Sequence, residues 1–168
     1  MRVAQWSTGT IGTRALSAVI QHPALELVGV HVSSPSKIGS DAGDLCGLPA
    51  TGVQATGDIA DILAVKPDCV LYMPPALNTA EVCALLSAGV NVVTTAGGFH
   101  HPASMDPALR DQLEQACIGG GATVHSTGSS PGFITEALPL VVSSLQRELR
   151  CLVIDEYADL SQRNSPEL

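Results

Sequence analysis

Short β-branched runs alternate along this chain with stretches of helical apolar period, and that alternation limits the possible folds more than any other feature. Residues 2–6, 25–33, 68–74, 90–98 and 122–128 read as strands, with a short strand near Val53 and a last one at 150–161. Ile11, Ala15, Leu16, Val19 and Ile20 form a helical stripe that His22-Pro23 ends. Asp58 reads as the N-cap of a helix over 59–66, which Pro67 terminates. Asn78, with Glu81 three residues on, resembles a capping box for 79–89. Asp106-Pro107 opens a helix over 108–118, and Gly119, Gly120 and Gly121 stop it. Ser130-Pro131 opens a segment over 132–148 that Pro139 should kink or confine to its first turns. Strands and helices alternating at this spacing imply βαβ crossovers, hence an α/β fold: a Rossmann-type, doubly wound parallel sheet.

The core of such a sheet must be aliphatic, because aromatic residues make up only 3% of the chain against 45% apolar. At 168 residues the chain fits one domain plus a fragment of another. Residues 1–150 are expected to form the sheet domain. The run at 150–161 has nothing after it to cover it, so residues 151–168 are expected to begin a second, otherwise absent domain. The net charge of −8 and the lack of any basic run argue against nucleic acid or an anionic membrane as partner. Cys46, Cys69, Cys83, Cys117 and Cys151 form no C-x-x-C pair, and most lie in apolar runs as small hydrophobes do. With no signal peptide and no apolar span of about 20 residues, a cytoplasmic protein is expected.

The stretch "QWSTGTIGTRAL" carries the chemistry. It lies between a strand and an amphipathic helix, the setting that a dinucleotide fingerprint requires. Gly9 stands where backbone must approach a pyrophosphate, and Gly12 where helix and strand pack closely. Ser7 occupies the place of the first glycine, which a small residue can fill if its φ stays negative. The N–H groups of Thr10, Ile11 and Gly12 would then face the phosphates, with Ser7 and Thr8 completing the turn. The same residues would also suit a plain βα turn.

No acid follows the second strand between Glu26 and Asp41 to hold ribose hydroxyls. Ser33, Ser34 and Lys37 offer hydroxyls and a cation instead, which suit a 2′-phosphate and favour NADP(H) over NAD(H). A polar loop with a solvated lysine would read the same way. Later strand ends should face the same crevice, which nominates Met73 and Pro74, then Thr95, Ala96 and Gly97. "GSSPGF" is a second glycine-rich turn, and its Gly128 and Ser130 could hold a carboxamide or a carboxylate. His100 and His101 follow a strand and are candidates for proton transfer; without matching carboxylates or cysteines they do not signal a metal. Asp155 and Glu156 read as polar positions on the last strand.

The stretches "VAQWSTGTIGTRAL", "LELVGVHVSSPSKIGSDAGDLCG", "GVNVVTTAG", "STGSSPGF" and "EYADLSQRNSPEL" resemble, in that order, the amino-terminal domain of the dihydrodipicolinate-reductase-like oxidoreductases. They are most similar to the branch holding 2,4-diaminopentanoate dehydrogenase and the native amine dehydrogenases. The resemblance implies a Rossmann domain binding NAD(P)H and hydride transfer to or from a small substrate with an imine or carbonyl carbon. It also implies a second domain for substrate binding and homodimer formation. In the amine dehydrogenase branch the segment matching "TTAGGFHHP" carries a glutamate. Here Gly97 and Gly98, which have no titratable group, stand there, so amine chemistry would require His100 or His101 to substitute. The family's Asn-Pro-Gly turn is Ser130-Pro131-Gly132, where Ser130 can still donate one bond. A non-catalytic dinucleotide-binding or sensing module is the alternative that the fold alone leaves open.

Overall fold

The computed structural model describes residues 1–157 and 159. The chain divides into two compact units, Met1–Ser126 and Thr127–Leu168. The first unit contains β1 (Arg2–Trp6), α1 (Thr10–Gln21), β2 (Glu26–His31), α2 (Ala42–Cys46), β3 (Ala55–Thr56) and α3 (Ile59–Ala64). It continues with β4 (Cys69–Tyr72), α4 (Thr79–Ser87), β5 (Asn91–Thr94), α5 (Pro107–Gly120) and β6 (Val124–Ser126). The strands form one six-stranded sheet in the order β3-β2-β1-β4-β5-β6, and every pairing is parallel. This is the doubly wound architecture that the alternation predicts. No described helix is long and apolar enough to cross a membrane.

Side chains alternate across a strand, so each strand serves two cores. Ala4 and Trp6 of β1 point into the larger one, with Val70 and Tyr72 of β4, Val82, Leu85 and Leu86 of α4, and Leu113 of α5. The opposite face holds a smaller cluster of Leu16, Val30, Val32, Ala42 and Ala55. That second cluster depends on the segment between β2 and β3, which is more ordered than a loop. Asp41 caps α2 by accepting from Gly43 N at 2.7 Å, and it also accepts from Thr51 N at 2.9 Å and Gly52 N at 2.8 Å. These three N–H bonds hold its carboxyl below the usual carboxylate range. The strand expected near Val53 is β3, two residues further on, preceded by an antiparallel bridge between Asp41 and Gln54.

Four helices of the first unit begin on the side chains that their sequences offer. Asp41, Asp58, Asn78 and Asp106 cap α2, α3, α4 and α5. At α4 the capping box is relayed. Asn78 Oδ1 accepts from Ala80 N and Glu81 N, but the Asn78 N–H donates to the Tyr72 hydroxyl, which donates onward to Glu81 Oε2 at 2.6 Å. Burial and that carboxylate hold the phenol far above its ordinary pKa.

The second unit departs from expectation. Residues 129–137 form a wide helical turn in which Ser130, Pro131 and Gly132 leave helical angles. Among the described residues of this unit only α6 (Leu138–Ser143) is α-helical, and Pro139 sits in its first turn, where a missing N–H breaks no bond. The strand expected at 150–161 is absent over the described residues 151–157, which carry no regular structure. Leu152, Val153 and Tyr157 are 50%, 72% and 94% exposed, and an extended segment becomes a strand only when a neighbour pairs its N–H and C=O groups. Ala158, Leu160 and Ser161 of that run lie outside the described residues.

The helix α5 runs through Gly119 and Gly120 and ends at Gly121, whose φ of 64° is left-handed. The two glycines inside it differ in kind. A Cβ on Gly120 would lie 1.8 Å from the Leu86 carbonyl oxygen, whereas one on Gly119 would meet nothing within 4 Å. Gly120→Ala should therefore lower stability by about 1–3 kcal/mol through overpacking. Gly119→Ala should raise it by about 0.5 kcal/mol through helix propensity. Urea unfolding of the two variants checks the opposite signs.

Candidate functional site

Strand order reverses between β1 and β4: from β1 the chain winds toward β2 and β3, and from β4 toward β5 and β6. The crevice that such a reversal leaves at the carboxyl edge is where open α/β sheets bind ligands. The 7–12 turn leaves β1 at this point. The Met73 N–H donates to the Trp6 carbonyl at 3.1 Å, which sets Met73 beside the turn with Pro74 next in chain.

The turn departs from the sequence expectation at its first residue. Ser7 has φ +74°, the left-handed region, rather than the negative φ expected of a serine there. Three contacts hold it. The Ser7 N–H donates to His31 O at 2.8 Å, and Gln5 Nε2 donates to Ser7 O at 2.9 Å. The same carbonyl lies where a Cβ on Gly12 would be, 2.1 Å away. Gly12 is thus required by the protein itself. Gly9 is not: its φ of −74° suits any residue, and a Cβ there would meet nothing within 4 Å.

The helix that follows is unlike its neighbours. No side chain caps α1, and no acid lies in its first turn. Gly9, Thr10 and Ile11 are exposed, Ile11 by 52% although it belongs to the apolar stripe; only Gly12, Leu16 and Val19 of the helix are buried. The N–H groups of the first turn, at the positive end of a twelve-residue helix, thus have no side-chain cap, and Thr10 and Ile11 among them lie at the surface.

Lys37 reaches the turn from the loop after β2. Its ammonium donates to Thr8 O at 2.9 Å and to Thr8 Oγ1 at 3.1 Å. Thr8 is buried, and its carbonyl also accepts from Thr13 Oγ1 at 3.1 Å. Ser33 and Ser34 are exposed on the same loop, with Ser34 Oγ 3.0 Å from Ser36 Oγ. The structure thus brings Lys37 onto the 7–12 turn, across 29 residues of sequence.

After β5, Thr94 Oγ1 accepts from Ala96 N at 3.1 Å, and Ser126 Oγ of β6 donates to Ala96 O at 2.7 Å. Thr95 and Gly97 are exposed at the sheet edge, and Gly98 is open as well. Phe99 anchors the loop in the larger core. His100 is half-buried, and His101 is exposed with Nδ1 3.0 Å from Ser104 Oγ. Gly128 and Ser130 belong to the second unit. There Gly132, at φ 138°, donates its N–H to Thr135 Oγ1 and Glu136 Oε2.

Residues that motif reading passes over support the turn from below. Gln5 is fully buried, and Trp6 stacks on His31 with ring centroids 3.7 Å apart and planes at 16°. His31 Nε2 lies 3.3 Å from Gly57 O, which makes it the donor; Nδ1 is buried without a partner among the described residues. The signal for Gln5 is a polar residue in an apolar strand. The His31 stack has no signal short of knowing the register that pairs it with Trp6.

Gly12→Ala should cost about 2–3 kcal/mol, since its methyl would strike backbone. Ser7→Gly should gain about 0.5–1 kcal/mol, the relief of a left-handed serine less the entropy of a glycine. Denaturant unfolding reads both. Burial lowers the pKa of His31 below the ordinary 6.5, with the Gly57 bond offsetting part of that shift. The unfolded chain then takes up the proton first. Stability should be full above pH 7, decline as pH falls below about 6.5, and level off below the native value. Melting curves of the protein and of His31→Phe should separate over that window, with the variant lacking the decline.

The match to known proteins follows this geometry. Residues 6–117 match the family model for dihydrodipicolinate reductase, N-terminus. An amine dehydrogenase of Streptomyces virginiae is 34% identical over 169 residues, covering 96% of this chain and 47% of that protein. A 4-hydroxy-tetrahydrodipicolinate reductase of Methylococcus capsulatus is 27% identical over 154 residues, covering 90% of this chain and 52% of that one. Among solved structures, amine dehydrogenase from Mycobacterium smegmatis superposes with a TM-score of 0.75 at 25% identity, over 86% of this chain and 44% of that one. The chain spans about half the length of these relatives. With the family model covering the 7–12 turn and strands β2 to β5, the chain belongs to the dihydrodipicolinate reductase amino-terminal family.

Proposed function

We propose that residues 1–150 are the NAD(P)H-binding domain of an oxidoreductase acting on a small substrate with an imine or carbonyl carbon, and that residues 151–168 open its substrate and oligomerisation domain. The observation that carries this reading is the contrast at α1: it is the one α-helix of the first unit without a side-chain cap, and it starts at a glycine that only an approaching ligand would require. A pyrophosphate supplies what that helix end lacks, three acceptors for Thr10, Ile11 and Gly12. The dinucleotide, when bound, supplies hydride transfer.

The chain's own residues bind and orient. Ser7, Thr8 and Gly9 shape the pyrophosphate turn, and Met73 and Pro74 border it from β4. Lys37 already spans to Thr8, so its charge is held at the turn rather than free in solvent, and with Ser33 and Ser34 it would bind a ribose 2′-phosphate. That favours NADP(H) over NAD(H). Thr95, Ala96 and Gly97 would border the nicotinamide; Gly128 and Ser130, by their sequence, would suit a carboxamide or a carboxylate. Gly97 and Gly98 carry no titratable group, so the proton that accompanies hydride transfer falls to His100 or His101, the amine chemistry of the relatives being one form of it. In its functional form the protein would be a homodimer in the cytoplasm.

Calorimetric titration with NADPH and NADH tests the reading. NADPH should bind more tightly. Gly9→Asp should weaken both at least about 100-fold, because a carboxylate would enter the phosphate approach, yet leave the melting temperature nearly unchanged. Lys37→Ala should remove about tenfold of the preference for NADPH. Unaltered binding by Gly9→Asp would overturn the assignment of the turn.

A further inference from the structure

Gln5 stands in the middle of an apolar strand with no solvent exposure, and nothing in the cofactor chemistry calls on it. Burying a carboxamide is unfavourable unless its polar atoms are paired, and Val or Leu would fill the same space. Its Nε2 donates to two successive carbonyls, Trp6 at 3.1 Å and Ser7 at 2.9 Å. The orientation of the amide is settled by charge, since the flipped form would set Oε1 against both oxygens. The Nε2 group also lies 3.1 Å from where a Cβ on Gly12 would be, so strand, turn and helix meet at this one amide.

Ser7 needs such a clamp. An L-residue with a side chain enters the left-handed region at a cost, and the surroundings must hold it there. Of the contacts on Ser7, the His31 carbonyl and Gly12 are backbone; Gln5 supplies the side-chain bond. We propose that Gln5 is a positioning residue: it holds Ser7 in the left-handed conformation and so fixes the turn from which the first N–H groups of α1 face the cofactor. This rests on the dinucleotide reading for its consequence, though not for its geometry. Gln5 Oε1 is buried without a partner among the described residues, so Gln5→Met, similar in length, removes the two donated bonds and breaks no accepted one.

The test is a two-by-two cycle of Gln5→Met and Ser7→Gly, with NADPH dissociation constants and melting temperatures measured for all four proteins. Glycine enters the left-handed region freely, so the clamp becomes dispensable in the Ser7→Gly background. Gln5→Met should weaken NADPH about tenfold or more beside Ser7 and less than about threefold in the Ser7→Gly background, with the loss of melting temperature shrinking in parallel. Equal losses in both backgrounds, or none in either, would overturn the proposal and leave Gln5 as packing. If the parent protein binds neither NADPH nor NADH, the cofactor reading fails, while the melting cycle still decides whether Gln5 holds Ser7. Should Gln5→Met not fold, Gln5→Glu takes its place. A neutral carboxyl donates one bond to Ser7 O and a carboxylate none, so its melting temperature relative to the parent should fall as pH rises through the buried carboxyl's titration. A flat difference would count against the clamp.

Discussion

The contact between the Ser7 carbonyl and the bare Cα of Gly12 is the constraint on which the candidate site depends. Helix α1 can approach the end of β1 only because Gly12 has no Cβ to strike that oxygen 2.1 Å away. The oxygen points there only because Ser7 is left-handed. One consequence is a helix that starts directly on the sheet edge, with Gly9 as its N-cap and no capping side chain, although a Cβ at Gly9 would meet open space. Gly12 therefore answers to the fold, which makes no such demand on Gly9.

The sheet around that contact shows how an aliphatic chain manages its few large rings. Trp6 pairs in register with His31 on one side and Tyr72 on the other, and parallel neighbours share a face. The three rings therefore form a row across β2, β1 and β4, at their carboxyl ends. Trp6 stacks on His31 and lies tilted against Tyr72 at 5.6 Å. Tyr72 in turn ties the row to the start of α4 through Glu81 and Asn78. The floor under the crevice is thus rigid on the α4 side, while Gln5 on the opposite face of β1 fixes the turn from the α1 side. Neighbouring residues of one strand do both tasks because alternation sends them to opposite faces.

Much of this was legible in the sequence, and what was not has physical reasons. The helix starts at Asp58, Asn78 and Asp106 are local chemistry, a side-chain oxygen within reach of the next N–H groups, and spacing alone reveals them. The strand-turn-helix around Gly9 and Gly12 is legible for the same reason. The sign of φ at Ser7 is not, because it is decided by Gln5, His31 and Gly12 together, two of which act through backbone. Glu81 satisfies the spacing of a capping box, yet a tyrosine from β4 takes the bonds in between; propensity gave the cap and tertiary contact rewired it. The apolar run at 150–161 has every local mark of a strand. Over its described residues it has no partner edge in this chain, and pairing is the one property that composition does not encode.

Lys37 shows how far the coupling extends. The loop after β2 is the part of such a fold that reads the adenosine ribose, and the turn after β1 is the part that holds the pyrophosphate. In this protein they are joined by the two bonds from one ammonium to Thr8. The loop itself is stiffened by Asp41, which gathers the N–H groups of Gly43, Thr51 and Gly52 and so seats α2 against α1. A shift of the loop must therefore carry Lys37 off Thr8, and a shift of the turn must disturb the lysine. The loop and the turn are built as one mechanical unit, so on the proposed reading a change in cofactor preference could not be confined to the residues that would touch the 2′ position.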